Sequence, residues 1–212
     1  MMHTFYARRG KRVFDFVVGV IALLLLSPML LVVALLVRLS SKGPAIYRQK
    51  RVGRDGKVFR IAKFRSMFEA ADKTGPAITS TGDPRITPVG RVLRLGKLDE
   101  LPQLWNVVLG DMSLVGPRPE VPAYVDFYSD SQRRVLTVRP GITDPASIAY
   151  RWEEKLLGAR PDPERYYRDV VLPEKLAMNL DYIDRISLSY DLSLLLRTTG
   201  ILFSPKWSAG TR

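Results

Sequence analysis

A long apolar run near the N-terminus constrains this chain more than any other feature. Residues 13–39 read VFDFVVGVIALLLLSPMLLVVALLVRL, with no charge between Phe16 and Val37. A straight helix over that uncharged stretch reaches roughly 33 Å at about 1.5 Å per residue, enough for the hydrocarbon core of a bilayer. A secretory signal fits less well, because the run is too long and no small-x-small cleavage site follows it. Ser27-Pro28 lies at the centre. Proline has no N–H and disfavours helical geometry in the residue before it, so a break is expected there. Ser27 can bond a freed carbonyl, which is how lipid tolerates such a break. Arg8, Arg9, Lys11 and Arg12 precede the run, and Arg38, Lys42, Arg48, Lys50 and Arg51 follow it. Positive charge marks the cytoplasmic side of a membrane, and here it marks both ends. A bent, re-entrant helix that enters and leaves by one face satisfies both observations; a straight span is the alternative.

The remaining length, about 170 residues, is enough for a real core. The chain therefore divides into an N-terminal basic segment with its membrane helix, residues 1–42, and a catalytic or binding domain, residues 43–212. Cysteine is absent, which excludes disulfides and thiolate chemistry and agrees with a reducing compartment. The only histidine is His3, at the extreme N-terminus, and no role is assigned to it. The net charge is +12. Nucleic acid is the usual partner of so basic a chain. Beside an apolar segment, anionic lipid is the better one, at about 1 kcal/mol per juxtamembrane Lys or Arg.

Residues 43–68 read as a β-hairpin with its turn at Arg54-Asp55-Gly56, since Val58, Arg60 and Ala62 alternate with Phe59, Ile61 and Lys63. Residues 74–84 are rich in Gly, Pro, Ser and Thr and read as loop. Residues 88–110 carry helical periodicity, interrupted near Gly96 and restarting at Leu98 with Asp99 as the expected N-cap. Residues 111–122 read as a rigid Pro/Gly turn, and 123–137 and 164–180 as helices. From Asp181 to Phe203 a further helical pattern places Ile183, Ile186, Tyr190, Leu194 and Ile201 on one face. Its Leu192–Leu196 run is too short to span a membrane and suits the interface. The expected class is α+β, mainly α.

Few residues can carry chemistry. Asp99-Glu100 is an adjacent carboxylate pair. It is either a surface cap, or a nucleophile beside a second acid that helps hold a divalent metal; Mg²⁺ prefers oxygen ligands and often shares them with phosphate, and carboxylates form covalent phosphoryl intermediates. Arg118 lies between Pro117 and Pro119. That is either a rigid surface turn or a guanidinium held ready to grip phosphate by two prongs. Lys63-Phe64-Arg65 and Arg91-x-x-Arg94 add cations that are either solvated or phosphate-binding. No Walker-type loop or GxGxxG is present, so nucleotide binding by those folds is unsupported.

Together these blocks resemble a family. KFRSM (63–67), DPRITPVGRVLR (83–94) and LDELPQLWNVVLGDMSLVGPRPE (98–120) are similar to the core of the bacterial sugar transferases, the monotopic polyprenol-phosphate phosphoglycosyl transferases. Lys11-Arg12-x-x-Asp15, the central Ser27-Pro28 and SKGPAIYRQKRVGRDGKVF (41–59) match as well. The resemblance implies transfer of a phosphosugar from a UDP-sugar to polyprenol phosphate at the cytoplasmic face of the bacterial inner membrane. The products would be UMP and a polyprenyl-diphosphate sugar, in the first membrane step of a glycoconjugate pathway. It implies Mg²⁺ as cofactor and a two-step covalent mechanism. By motif position Asp99 would be the nucleophile, with Glu100 helping it to hold metal. Arg94 and Arg118 would bind phosphate, Pro117 and Pro119 would shape the nucleotide end, and Lys63 would add charge near the diphosphate. The chain would be the minimal catalytic-core form, with UDP-sugar, polyprenol phosphate and anionic lipids as partners and no nucleic acid; a homodimer is left open. The alternative is a non-catalytic, membrane-anchored basic scaffold or nucleic-acid-binding protein. Against nucleic acid, Phe and Tyr are not interleaved in the basic stretches as stacking platforms require.

The chain also departs from the family pattern. After Arg139-Pro140-Gly141-Ile142-Thr143 it continues Asp144-Pro145-Ala146-Ser147-Ile148, where the common pattern has Gly and a Trp-Ala-Gln-like run. This segment is the expected contact with the sugar, so the departure bears on which sugar is used. Gly96-Lys97 stands where the family often has Thr-Ser, which is expected to loosen the start of the following helix.

Overall fold

The structure, a computed structural model, describes residues 5–69, 71, 79 and 82–202. His3 and most of the 74–84 loop lie outside the described residues. A π-helical turn, Tyr6–Gly10, leads into α1, Lys11–Ser40. Among the described residues α1 is the one helix long and apolar enough to cross a membrane, and only 11% of its most apolar window is buried. A core helix of a soluble protein would be mostly covered. The expected break at Ser27-Pro28 is not an interruption, because α1 continues helically across Pro28. The reason is local. Pro28 cannot bond the carbonyl one turn back, that of Leu24, and the Ser27 hydroxyl donates to that same oxygen at 2.8 Å.

Both ends of α1 are fastened to the rest of the chain. Arg12 donates to the carbonyls of Val107 (2.6 Å) and Val108 (2.8 Å). Asp15, fully buried, accepts the Leu114 amide at 3.1 Å. Lys11 pairs with buried Asp191 at 2.5 Å, and Tyr6 and Tyr182 donate to the same carboxylate. At the far end Val33 and Val37 pack with Phe64 and Leu93. There Arg65 donates to the Ser41 carbonyl at 2.7 Å, covering a helix C-terminus. Between these anchors Phe16, Ile21, Leu24, Leu25, Leu31, Leu35 and Leu36 stay exposed.

The predicted hairpin forms. β1, Ile46–Val52, pairs antiparallel with β2, Val58–Phe64, from Ile46↔Phe64 to Val52↔Val58. Asp55 adopts left-handed φ (57°) in the turn, which aspartate tolerates. Val58 and Arg60 face out, while Phe59, Ile61 and Lys63 follow one another onto the inner face. The outer edge of β2 is closed by a side chain: Asn106 accepts from the Ala62 amide and donates to the Arg60 carbonyl, both at 2.9 Å.

α2, Pro88–Leu95, is capped by Thr87, whose hydroxyl accepts the Gly90 amide at 2.9 Å. Gly90 is required by close approach, since a Cβ there would sit 2.0 Å from the Ser66 carbonyl oxygen. α2 ends at Gly96 as expected, and Lys97 turns the chain with φ 55°. Leu98–Glu100 form a 3₁₀ turn before α3, Gln103–Leu109. Asp99 lies within that turn and makes no capping bond, so the cap reading is wrong. The 111–122 turn also needs correction, because it contains β3, Ser113–Val115, parallel to β4, Gly141–Thr143. Their partner lies almost thirty residues ahead, beyond the reach of local patterning. Gly116 and Gly141 permit the pairing, as a Cβ on Gly141 would lie 2.1 Å from the Gly116 nitrogen.

The expected 123–137 helix is divided into α4, Pro122–Val125, and a 3₁₀ turn, Gln132–Thr137. Ser129 and Gln132 form a reciprocal capping pair, amide to side chain in both directions, that starts the second piece afresh. α5, Pro145–Ala149, α6, Glu153–Gly158, and α7, Pro163–Tyr166, follow. A π-helical stretch, Tyr167–Val171, then joins α8, Leu172–Asp184, so the 164–180 expectation holds. α9, Leu188–Leu202, buries Leu194 and leaves Leu192 and Leu196 exposed. The chain is mainly helical with two small sheets. One core joins Val52 and Ile61 of the hairpin, Leu104 and Val107 of α3, Val115 of β3, and Leu176, Tyr182 and Leu194 of α8 and α9.

Candidate active site

The structure brings Asp99, Glu100, Lys63 and Arg118 together. Glu100 receives both prongs of Arg118, Nη1 to Oε2 at 2.9 Å and Nη2 to Oε1 at 2.5 Å, and the Lys63 ammonium at 3.3 Å. Three separate parts of the chain meet here. The sharp reversal at Lys97 turns the carboxylate pair inward, the period of β2 delivers Lys63, and the chain leaving β3 supplies Arg118. Asn106 holds α3 against β2 and so fixes the distance between the dyad and Lys63.

Arg118 is held at its backbone as well as its tip. The carbonyls of Pro117 and Pro119 accept from the Gly141 amide (3.0 Å) and from Arg51 (3.1 Å). Its own amide donates to Asp144 Oδ2 at 2.6 Å. Arg94 makes no hydrogen bond to the dyad, but its charge partly offsets the upward shift of Asp99. Its Nε donates to the Ser66 hydroxyl at 2.9 Å, and its Nη1 lies 3.1 Å from Glu154.

Electrostatics separate the two carboxylates. Burial raises the pKa of Glu100, but Arg118 and then Lys63 outweigh it and hold Glu100 well below the usual range. Asp99 is shifted upward, first by burial and then by the charge of Glu100. Its Oδ1 is buried and has no hydrogen-bond partner, an unusual state for a carboxylate oxygen. Burial lowers Lys63 to about 8 against the pull of Glu100. Arg118 is shifted upward, chiefly by Glu100. One acid is thus a fixed anion that collects cations. Its neighbour is more basic and keeps an uncommitted oxygen, which suits attack on phosphorus or ligation of a cation.

Sequence reasoning passed over two neighbours. Arg51 reads in the sequence only as a flanking charge, yet it bonds Pro119 and lies 3.6 Å from buried Glu120. Asp144 stands out in the sequence only as a departure from the family pattern, yet it is fully buried and bonded to the Arg118 amide. A charged residue immediately after Pro-Gly-Ile-Thr and directly before proline was the available signal, since Asp-Pro marks a helix start.

Comparison with known proteins places the chain among relatives. The family model described as bacterial sugar transferase matches residues 6–205. The chain is 40% identical over 197 residues to the UDP-glucose:undecaprenyl-phosphate glucose-1-phosphate transferase of Caulobacter vibrioides, covering 92% of this chain and 70% of that protein. It is 38% identical over 191 residues to the UDP-N-acetylgalactosamine-undecaprenyl-phosphate N-acetylgalactosaminephosphotransferase of Aeromonas hydrophila, covering 89% of this chain and 42% of that one. With the exopolysaccharide production protein ExoY of Sinorhizobium fredii it shares 36% identity over 204 residues, 89% of this chain and 83% of the relative. A match that starts before α1, ends beyond α9 and takes in the buried Asp99-Glu100 pair leaves little of the described fold outside it: the chain belongs to the bacterial sugar transferase family.

Proposed function

We propose that the chain transfers a sugar 1-phosphate from a UDP-sugar to undecaprenyl phosphate, as the names of its relatives imply, and that it does so at the cytoplasmic face of the bacterial inner membrane. One observation carries the mechanism. Asp99 has a buried, unpartnered oxygen and a raised pKa beside a Glu100 already committed to Arg118 and Lys63. Asp99 attacks the sugar-bearing phosphorus of the UDP-sugar. The bond to the UMP oxygen breaks, UMP leaves, and the phosphosugar stays on the carboxylate. A phosphate oxygen of the polyprenol phosphate then attacks the same phosphorus, displaces Asp99, and forms the polyprenyl-diphosphate sugar. Arg118 and Lys63 neutralise the charge that gathers on the transferring and leaving groups. Arg94, held by Ser66, exchanges Glu154 for substrate phosphate.

The residues fit Mg²⁺. Asp99 Oδ1 is the free protein ligand, and Glu100 adds its charge from behind. Among the described residues no cluster of three or more acids or histidines is built to hold a metal alone, which suits an ion that keeps waters and shares substrate phosphates. Bound there, Mg²⁺ supplies charge neutralisation at the diphosphate.

The contacts of α1 support a membrane arrangement of the same kind. Its two ends rest on the same domain, through Arg12 and Asp15 at one and Val37 and Ser41 at the other. A helix held in this way dips into the cytoplasmic leaflet and returns, bending at Ser27-Pro28, with residues 1–42 as anchor and 43–212 as the catalytic part. Exposed Val92, Leu95, Trp105 and Leu109 on α2 and α3, and Leu192 and Leu196 on α9, suit the interface. The test is UMP release from a panel of labelled UDP-sugars with undecaprenyl phosphate and Mg²⁺ in nanodiscs. Turnover with one sugar supports the reading. No turnover with any sugar, together with salt-sensitive DNA binding, would overturn it in favour of a basic scaffold.

A further inference from the structure

We propose that Asp144 is a positioning residue for the transfer reaction, acting through the backbone of Arg118. Proline lacks an N–H, so in Pro117-Arg118-Pro119 the Arg118 amide is the single backbone donor that can anchor the turn. That donor meets Asp144 Oδ2 at 2.6 Å. Asp144 is 0% exposed. Its carboxylate is held from two further sides: Oδ1 accepts the Ser147 amide as the N-cap of α5, and Oδ2 also accepts Asn179 Nδ2 of α8 at 3.1 Å. The guanidinium, at the other end of Arg118, is fixed on Glu100. A single residue is thereby clamped at its backbone amide and at its guanidinium, and the long side chain between them loses the freedom that would cost rate in a positioning-limited reaction. A carboxylate is needed, because two separate oxygens must serve three donors. Glycine would offer neither oxygen, and an asparagine only one.

The inference rests on the reading of Arg118 as the phosphate grip, and the experiment separates the two. Serine is a good N-cap but is too short to serve α5 and the Arg118 amide together. Asp144→Ser therefore keeps the helix start and releases Arg118. The expected result is a fold close to native by thermal unfolding in nanodiscs, with kcat/KM for the UDP-sugar down about tenfold or more. In an Arg118→Ala background the same change costs less than about twofold, because nothing is left to position. If Asp144→Ser loses as much in that background as in the native one, Asp144 acts on the fold and the inference fails. It fails too if Asp144→Ser is native in both fold and efficiency. Should Arg118→Ala keep full efficiency, the phosphate-grip reading fails instead. A measurement on the unaltered protein stands independent of any variant's folding. The Arg118 amide is the only exchangeable backbone hydrogen between Pro117 and Pro119, and it should exchange as slowly as core amides; free exchange there overturns the proposal.

Discussion

Raising the pH should switch the enzyme off through Lys63 before it affects the fold. Burial lowers this ammonium to about 8 from an ordinary 10.5, with Glu100 only partly restoring it. A group with that pKa is about 90% charged at pH 7 and about 10% charged at pH 9. If the charged form alone serves the diphosphate, kcat/KM falls about tenfold between those values, since kcat/KM reports the free enzyme. In kcat the alkaline limb moves upward, because a bound diphosphate favours the ammonium. Unfolding driven by Lys63 cannot account for the loss. The unfolded lysine keeps its proton up to 10.5 and the folded one only to about 8, so within that window the unfolded chain binds the extra proton. Through this group, rising pH therefore favours the folded state. Lys63→Arg keeps its charge at all working pH values and should carry the limb out of the window, while Lys63→Met should be slow and flat. The assay is initial-rate UMP release at saturating Mg²⁺ from pH 6.5 to 9.5, with thermal unfolding followed in the same buffers. A kcat/KM profile that is level from pH 7 to 9, or a limb that stays in place in Lys63→Arg, refutes the argument.

Asp99→Asn should abolish turnover with the fold retained, and intact mass measurement of the native enzyme with UDP-sugar alone should find a phosphosugar on Asp99; an adduct on another residue removes it as nucleophile. Arg118→Lys keeps charge but loses the two-pronged geometry, so efficiency should fall on the order of 10- to 150-fold, the equivalent of one charge-assisted bond of roughly 1.5–3 kcal/mol. Full rescue by lysine in the same UMP-release assay would leave only a charge requirement. Single cysteines at Arg9 and Lys42 should both react with a reagent confined to the cytoplasmic side, and label entering from opposite sides would mean that α1 spans. Pro28→Ala should shift the helix toward spanning, because it removes the residue whose missing N–H favours a bend.

Much of this molecule is decided by local chemistry. The uncharged stretch from Phe16 to Val37 makes a membrane-directed helix whatever follows, and Arg54-Asp55-Gly56 between alternating residues makes a hairpin. Gly96 stops α2, as its place in the pattern requires. The dyad and Arg118 were legible too, but only as candidates, because an adjacent acid pair or a proline-flanked arginine has the same local meaning on a bare surface as in a site. Tertiary structure turned Asp99 from an expected cap into a buried, unpaired carboxylate. It set Glu100 between Arg118 and Lys63, eighteen residues ahead and thirty-seven behind. It also engaged Arg94 with Ser66 and Glu154, close enough for its charge to act on Asp99. The parallel pairing of β3 and β4 was invisible for the same reason, since no turn residue or period announces a partner so distant. Pro28 marks the limit of local rules most clearly. Its missing N–H is a property of the residue, and the Ser27 hydroxyl that answers it lies next door. Whether both ends of α1 return to one domain depends on Arg12, Asp15, Arg65 and Phe64 finding partners across the chain. Short-range sterics and solvation choose the elements, while the packing that pairs buried charges over long separations decides which of them form a site.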